Sequence, residues 1–297
     1  MKEEKEMMLL NSLDKLEQNL VQEGKSEATI DSYLKSCKRF ANWIQKINNG
    51  PVFIEQVKEA DIQKYLHELA TEANYKPASI NVALNGLRNL FQYGMRSGLI
   101  ENNPTQYIKS IKNNQKRRDY LTAEEIEELL AALDHKLDNL VVRTLAYTGL
   151  RISECLALTP EDIDFKAERI HVRNGKGSKP RTVPLAKNLK PHLLKYKNGS
   201  RKFVKDSEFF FATTKTGAIS AVYINRLLKE TVEKLKWTKH VTCHVLRHSF
   251  ASELVKNDTA LPTVAALLGH ADFRTVTSVY VHIADEVLQS AVDSLDL

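Results

Sequence analysis

The sequence predicts two folded parts: an all-α N-terminal domain, then a mixed α+β domain with a small antiparallel sheet. Three observations predict this. Apolar residues recur at three- and four-residue steps through the N-terminal third. A basic, polar, proline-containing stretch from Asn102 to Asp119 then breaks the pattern. Beyond it, helical spacing gives way to a period of two between Arg169 and Pro184 and later returns. A chain of 297 residues has room for two ordinary domains.

In the N-terminal part, Ala28 to Ile47 carries Ile30, Tyr33, Leu34, Cys37, Phe40, Ala41 and Ile44 on one stripe. Asp61 to Ala70 repeats this with Ile62, Tyr65, Leu66 and Leu69. Pro77 opens a further helix bearing Ile80, Leu84, Leu87, Leu90 and Phe91, and Gly98 marks its exit. Lys25, Lys35, Lys38, Arg39, Lys76 and Arg88 lie among these helices. Composition alone favours a solvated face for them; a face near DNA is the sharper reading. Pro104 disfavours helix just before it, and Lys112-Asn-Asn-Gln-Lys-Arg-Arg118 has little to bury. The expected division is a helical domain over 1–103, a basic linker over 104–118 and a second domain over 119–297.

In the second part, Thr122-Ala-Glu-Glu125 is a capping box ahead of Ile126, Leu129, Leu130 and Leu133. Thr159-Pro160-Glu161-Asp162 reads as another helix start. Ile170 and Val172 alternate with His171 and Arg173, and Val183 follows the turn Asn174-Gly-Lys-Gly-Ser-Lys-Pro180, which together make a hairpin. Phe209-Phe210-Phe211 reads as a further short strand. From Tyr223 onward the pattern is helical, with stops near Pro262 and Gly269.

The bulk composition narrows the class. Apolar residues make up 42% and charged residues 27%, as in globular domains, and low-complexity tracts are lacking. The 43 Lys and Arg against 37 Asp and Glu give a net charge of +6, which suits a polyanion without requiring one. Cys37, Cys155 and Cys243 are odd in number and form no Cys-x-x-Cys pair, which argues against a disulfide framework and a cysteine zinc site. Met1 to Glu6 lacks an apolar signal core, and no apolar run approaches the ~20 residues that span a bilayer. A cytoplasmic protein with no membrane partner is expected.

Four segments carry candidate chemistry, each beside a plainer reading. Arg151, in Thr148-Gly-Leu-Arg-Ile-Ser-Glu154, is either a surface arginine after a helix-ending glycine or a phosphate ligand at a helix start. Lys176 stands between two glycines in the hairpin turn; it is simply solvated, or brought close to a partner as a general acid. Lys179 and Arg181 lie nearby and are open to confusion with it. His244 and Arg247 share a helix face, and His248 makes an i,i+4 pair with His244. That pair is not read as zinc-binding, because no glutamate follows the first histidine and no third ligand is evident. His270 follows Leu267-Leu-Gly, as a helix C-cap would, and Tyr280 sits among Val276, Val279 and Val281, as a core residue would.

In this order the segments resemble the catalytic set of the tyrosine recombinase (phage integrase) family, over about Asp119 to Leu297. The string Ser26…Thr29…Tyr33…Phe40…Trp43 resembles the family's core-DNA-binding domain less specifically. The resemblance is to simple two-domain, Xer-like and mobile-element members. It implies a SAM-like helical bundle followed by a catalytic domain of the DNA breaking-rejoining fold. It further implies that Arg151, Arg247 and His270 grip the scissile phosphate, His244 assists by hydrogen bonding or proton transfer, Lys176 protonates the leaving 5′-oxygen, and Tyr280 is the nucleophile. Glu154 resembles the acidic position that supports the site from behind. Cys243 departs from the family's frequent proline, and the spacing from His270 to Tyr280 is one residue longer than the commonest, while His282 fits.

Two fixed arginines can stabilise a phosphoryl transition state without a metal, so neither metal nor cofactor is expected. The implied partner is double-stranded DNA bearing a recombination site, bound by a homotetramer that exchanges strands through a Holliday junction; any accessory protein is left open. The tail Ile283 to Leu297 carries Val287, Leu288, Ala291, Val292 and Leu295 at helical steps, and packs either on a neighbouring protomer or within its own domain. With no further domain before residue 10, a dimer-resolving or mobile-element enzyme is expected. The alternatives are a type IB topoisomerase-like nicking-closing enzyme and a non-catalytic DNA-binding regulator on the same fold.

Overall fold

The computed structural model describes residues 7–112, 119–173, 180–204 and 206–269. The chain divides into two compact units, Met1–Gln115 and Lys116–Leu297.

Four helices build the first unit: α1 (Asn11–Gln22), α2 (Glu27–Asn48), α3 (Glu59–Thr71) and α4 (Pro77–Arg96). The predicted stripes of α2, α3 and α4 are the buried faces, with Phe40, Ile62, Leu84, Leu87 and Phe91 almost wholly inside. Ser26 caps α2 by accepting a bond from Thr29 N. Phe40 sits at the centre of an aromatic cluster with Trp43, Tyr65 and Phe91. The Trp43 indole N–H donates to Glu68 Oε2 at 2.5 Å, giving the half-buried ring its polar partner. The sequence reading passed over α1, although Leu13, Leu16 and Leu20 fall at three- and four-residue steps and are buried. The segment from Pro104 to Lys112 stays with this unit: Thr105 and Ile108 are buried, and Arg88 donates to Ile108 O at 2.6 Å.

The second unit holds α5 (Ala123–Ala131), α6 (Lys136–Thr148), α7 (Ile152–Leu156), β1 (Ile163–Asp164), β2 (Arg169–Val172), β3 (Arg181–Pro184), α8 (Lys190–Asn198), α9 (Ala221–Lys234), α10 (Cys243–Lys256) and α11 (Leu261–Leu268). The predicted capping box forms: Thr122 N donates to Glu125 Oε2, and Thr122 Oγ1 accepts from Glu125 N. The strands make an antiparallel sheet in the order β1-β2-β3. Ile170 pairs with Val183 and Val172 with Arg181, and the inward residues of this ladder face the core. The hairpin is therefore present; its turn, 174–179, lies outside the described residues.

Three local expectations are corrected. Phe209-Phe210-Phe211 is a bend, not a strand. Phe210 and Phe211 are buried against Tyr196, while the Tyr196 hydroxyl and the Arg201 guanidinium satisfy backbone groups that a sheet would otherwise pair. Thr159 to Asp162 makes a single 3₁₀ turn and then enters β1. Pro262 opens α11 instead of ending a helix, since an early proline has no N–H to leave unbonded there.

Helix α10 threads the unit and is buried on most sides, with Leu246, Arg247, His248, Ser249, Ala251, Ser252 and Val255 all inside. It can lie close to the end of α6 because Gly149, the C-cap at φ +62°, has no side chain; a Cβ there would come within 2.3 Å of Phe250 Cδ1.

Gly149→Ala should lower the unfolding free energy of this unit by about 2–4 kcal/mol, combining left-handed backbone strain with overpacking. Gly217→Ala is the control, with φ +67° but no heavy atom nearer than 3.7 Å, and should lose only the backbone part, about 1–2 kcal/mol. Urea denaturation of the two variants measures the difference; equal losses would remove the close-approach argument.

Candidate active site

The end of α6, the start of α7, strand β3, helix α10 and the end of α11 meet at one carboxylate. Glu154 is almost completely buried, its side chain 1% exposed. It sits in the first turn of α7 as the last member of a capping box and accepts the backbone N–H of Arg151 at 2.8 Å. The exposed helix start foreseen at Arg151 is thus internally capped, so Arg151's own N–H is already used.

Among the described residues, three guanidinium groups surround this carboxylate. Arg151 Nη1 donates to Glu154 Oε1 at 2.8 Å. Arg181 makes a bidentate pair, Nη1 to Oε1 at 3.0 Å and Nη2 to Oε2 at 2.8 Å. Arg247 Nη1 stands 3.9 Å from Oε2. One negative and three positive groups leave the cluster about two charges positive, so it is suited to a further anion. Burial alone would raise the Glu154 pKa, but the hydrogen bonds from Arg181 and from the Arg151 main chain and side chain outweigh it and hold the carboxyl at about 2.

Arg247 is fixed chiefly by main chain. Its Nη1 donates to Gly149 O and its Nη2 to Leu268 O, each at 2.6 Å. Both carbonyls end helices, where partial negative charge favours a cation. Burial lowers the Arg247 pKa from the usual arginine value, the adjacent Arg151 charge adds to that, and Glu154 opposes it. Arg151 differs in access: its side chain is 36% exposed, so its fork reaches solvent while anchored from behind. His244 is exposed in the first turn of α10, three residues ahead of Arg247.

Of the six expected site residues, the structure describes Arg151, His244 and Arg247, and it brings the two arginines together at Glu154. Lys176, His270 and Tyr280 lie outside the described residues, as do His282 and the tail. Arg181 had been noted only as a neighbour of Lys176. A signal for it was present: in β3 it shares a face with buried Val183, and a charged residue at an inward strand position needs a partner. All three cysteines are buried, and burial raises the pKa of each thiol. No helix among the described residues is long and apolar enough to cross a membrane.

Comparison with known proteins identifies the family. Residues 119–287 match the Phage integrase family, and residues 13–101 match the Phage integrase N-terminal SAM-like domain. A tyrosine recombinase of Thermosipho africanus (strain TCF52B) is 31% identical over 278 residues, covering 91% of this chain and 94% of that protein. Tyrosine recombinase XerC of Bacillus subtilis (strain 168) is 29% identical, covering 91% of this chain and 90% of its own. In fold, the chain is similar to the Tn1549 transposon integrase in complex with a circular intermediate DNA, with a TM-score of 0.76, 19% identity and coverage of 97% and 100%.

The Glu154 pKa fixes the sign of an acid dependence. A carboxylate held at about 2 against an ordinary 4.5 contributes its full stability above about 4.5 and loses it as the pH falls toward 2. Glu154→Gln should therefore destabilise the unit at pH 7 by roughly 3 kcal/mol. Its stability should also change less than that of the parent between pH 5 and 2. Chemical denaturation across that range measures both, and parallel curves would show that Glu154 does not carry the acid dependence.

Proposed function

The chain belongs to the phage integrase family and is a tyrosine-type site-specific recombinase, and from this premise we propose that it cuts and rejoins DNA through a phosphotyrosyl bond on Tyr280. The observation that carries the reading is the convergence of Arg151 and Arg247, from different helices, on the buried Glu154 carboxylate. A guanidinium fork matches two phosphate oxygens, and a pair fixed before the substrate arrives needs no reorganisation when charge develops.

In the proposed reaction Tyr280 passes its phenolic proton to a neighbouring base or to solvent, and the phenolate oxygen attacks phosphorus in line. The new O–P bond forms as the bond from phosphorus to the 5′-oxygen breaks. Lys176 gives that oxygen a proton, leaving a 5′-hydroxyl and a 3′-phosphotyrosyl link. Arg151, Arg247 and His270 hold the non-bridging oxygens, and His244 assists by hydrogen bonding or proton transfer. An unperturbed tyrosine has a pKa near 10, so the cationic surroundings serve a second purpose in favouring the phenolate. Attack by the 5′-hydroxyl of a second duplex reverses the step. The ester link is retained throughout, so no external energy source is needed.

The helical domain over 1–103 is proposed to bind core DNA and residues 119–297 to carry the chemistry. Four protomers would exchange strands pairwise through a Holliday junction, with the amphipathic tail a candidate link between them. A cytoplasmic location suits this role. The relatives and the fold neighbour act as recombinases or integrases, which supports a site-specific exchange in preference to simple supercoil relaxation.

On nicked suicide duplexes, Tyr280→Phe should abolish the covalent adduct while leaving binding within about twofold; an adduct that persists would refute the tyrosine assignment. Arg151→Gln or Arg247→Gln should slow cleavage by about 10²–10³-fold, the usual loss on removing one pre-placed donor. Single-turnover cleavage rates measure this, and a loss below tenfold would place the phosphate elsewhere.

A further inference from the structure

We propose that Arg181 is a positioning residue for strand transfer, holding the Lys176 hairpin in register with the Arg151–Arg247 phosphate seat. The proposal rests on the reading of Lys176 as the general acid.

Four observations carry it. First, the Arg181 side chain is only 8% exposed and, among the described residues, its bonds point inward, two to Glu154 and one from Nε to Leu267 O at 2.9 Å. Such an arginine is poorly placed to grip a substrate. Second, among the described residues Arg181 opposite Val172 is the last paired rung of the ladder on the side of the connecting segment. Lys176 lies in the segment that joins these two strands in sequence, so Arg181 fixes the strand end at which that segment finishes. Third, Glu154, which receives the Arg181 fork, also receives Arg151. The strand behind the acid and the arginine beside the phosphate are thus indexed to one carboxylate. Fourth, the approach to α11 is tight. Gly269, at φ +65°, lies so near that a Cβ there would meet Arg181 Cδ and Nη1 at 2.8 Å. His270 follows that glycine in sequence.

A buried ion pair is weak evidence for stability, because apolar replacements often do as well. Its geometric content is stronger: a planar fork fixes both distance and orientation, which a lysine at the same place cannot do. General acid catalysis is sensitive to this, since the donor must lie within hydrogen-bond reach of the leaving oxygen.

The test compares suicide duplexes with a normal 5′-bridging oxygen against duplexes with sulfur there. A thiolate leaves without a proton, so the sulfur substrate does not need the acid. Lys176→Ala is expected to cleave the oxygen substrate about 10²–10⁴-fold more slowly and to recover on sulfur. Arg181→Lys keeps the charge and loses the fork. It should cleave the oxygen substrate at least about tenfold more slowly, recover most of that on sulfur, and bind DNA as the parent does. A purely structural role would depress both substrates equally by lowering the folded fraction. Equal losses on both substrates, or an undiminished oxygen rate, overturn the proposal while leaving the reading of Lys176 intact. A Lys176→Ala enzyme that stays slow on sulfur instead removes the general-acid premise, and the proposal with it. If Arg181→Lys melts below the assay temperature, Arg181→Gln supplies the same ratio of rates and is judged in the same way.

Discussion

The catalytic unit is organised around a carboxylate that would be intolerable alone. Taking Glu154 out of water costs several kcal/mol, and the hydrogen bonds from its arginine neighbours, together with the Arg151 backbone N–H, repay it. The fold brings those cations from the start of α7, β3 and α10: Arg151 and Arg181 bond the carboxylate directly, and Arg247 is held beside it by main-chain carbonyls. The relation also runs the other way. Three guanidinium groups packed closely would repel each other, and Glu154 is the counter-charge that lets them gather. The positive excess that remains suits the site to an anion.

The backbone supports the same arrangement. Gly149 lets α10 approach α6, and its carbonyl then receives Arg247. Main-chain acceptors hold their direction once the helices are docked, so this arginine is oriented before any ligand is present. Arg151 is anchored at one side and open at the other, which divides the labour between a fixed cation and an accessible one.

Much of the fold was legible because helices with one buried face advertise it. The stripes of α2, α3 and α4 and the Thr122 box gave those elements from spacing and cap chemistry alone. Legibility failed where that signal is absent. A triple phenylalanine is apolar on every side, so strand and buried bend look alike until Tyr196 and Arg201 are seen taking the backbone bonds. In the site, Arg151 and Arg247 could be named only as members of an ordered set, since each alone reads as an ordinary charge. Arg181 required strand parity to be weighed against charge: its inward position beside Val183 was visible, but its partner Glu154 is distant in sequence. For Lys176, His270 and Tyr280, the assignment rests on sequence.

The short helix α11 serves two arginines at once. Its last turn offers two neighbouring carbonyls, Leu267 O to Arg181 and Leu268 O to Arg247. Each arginine has a second anchor away from that turn, Arg181 on Glu154 and Arg247 on Gly149 O. One helical turn therefore ties the strand arginine and the helix arginine to the same short stretch of backbone, so their spacing is set by two adjacent carbonyls as well as by the carboxylate between them.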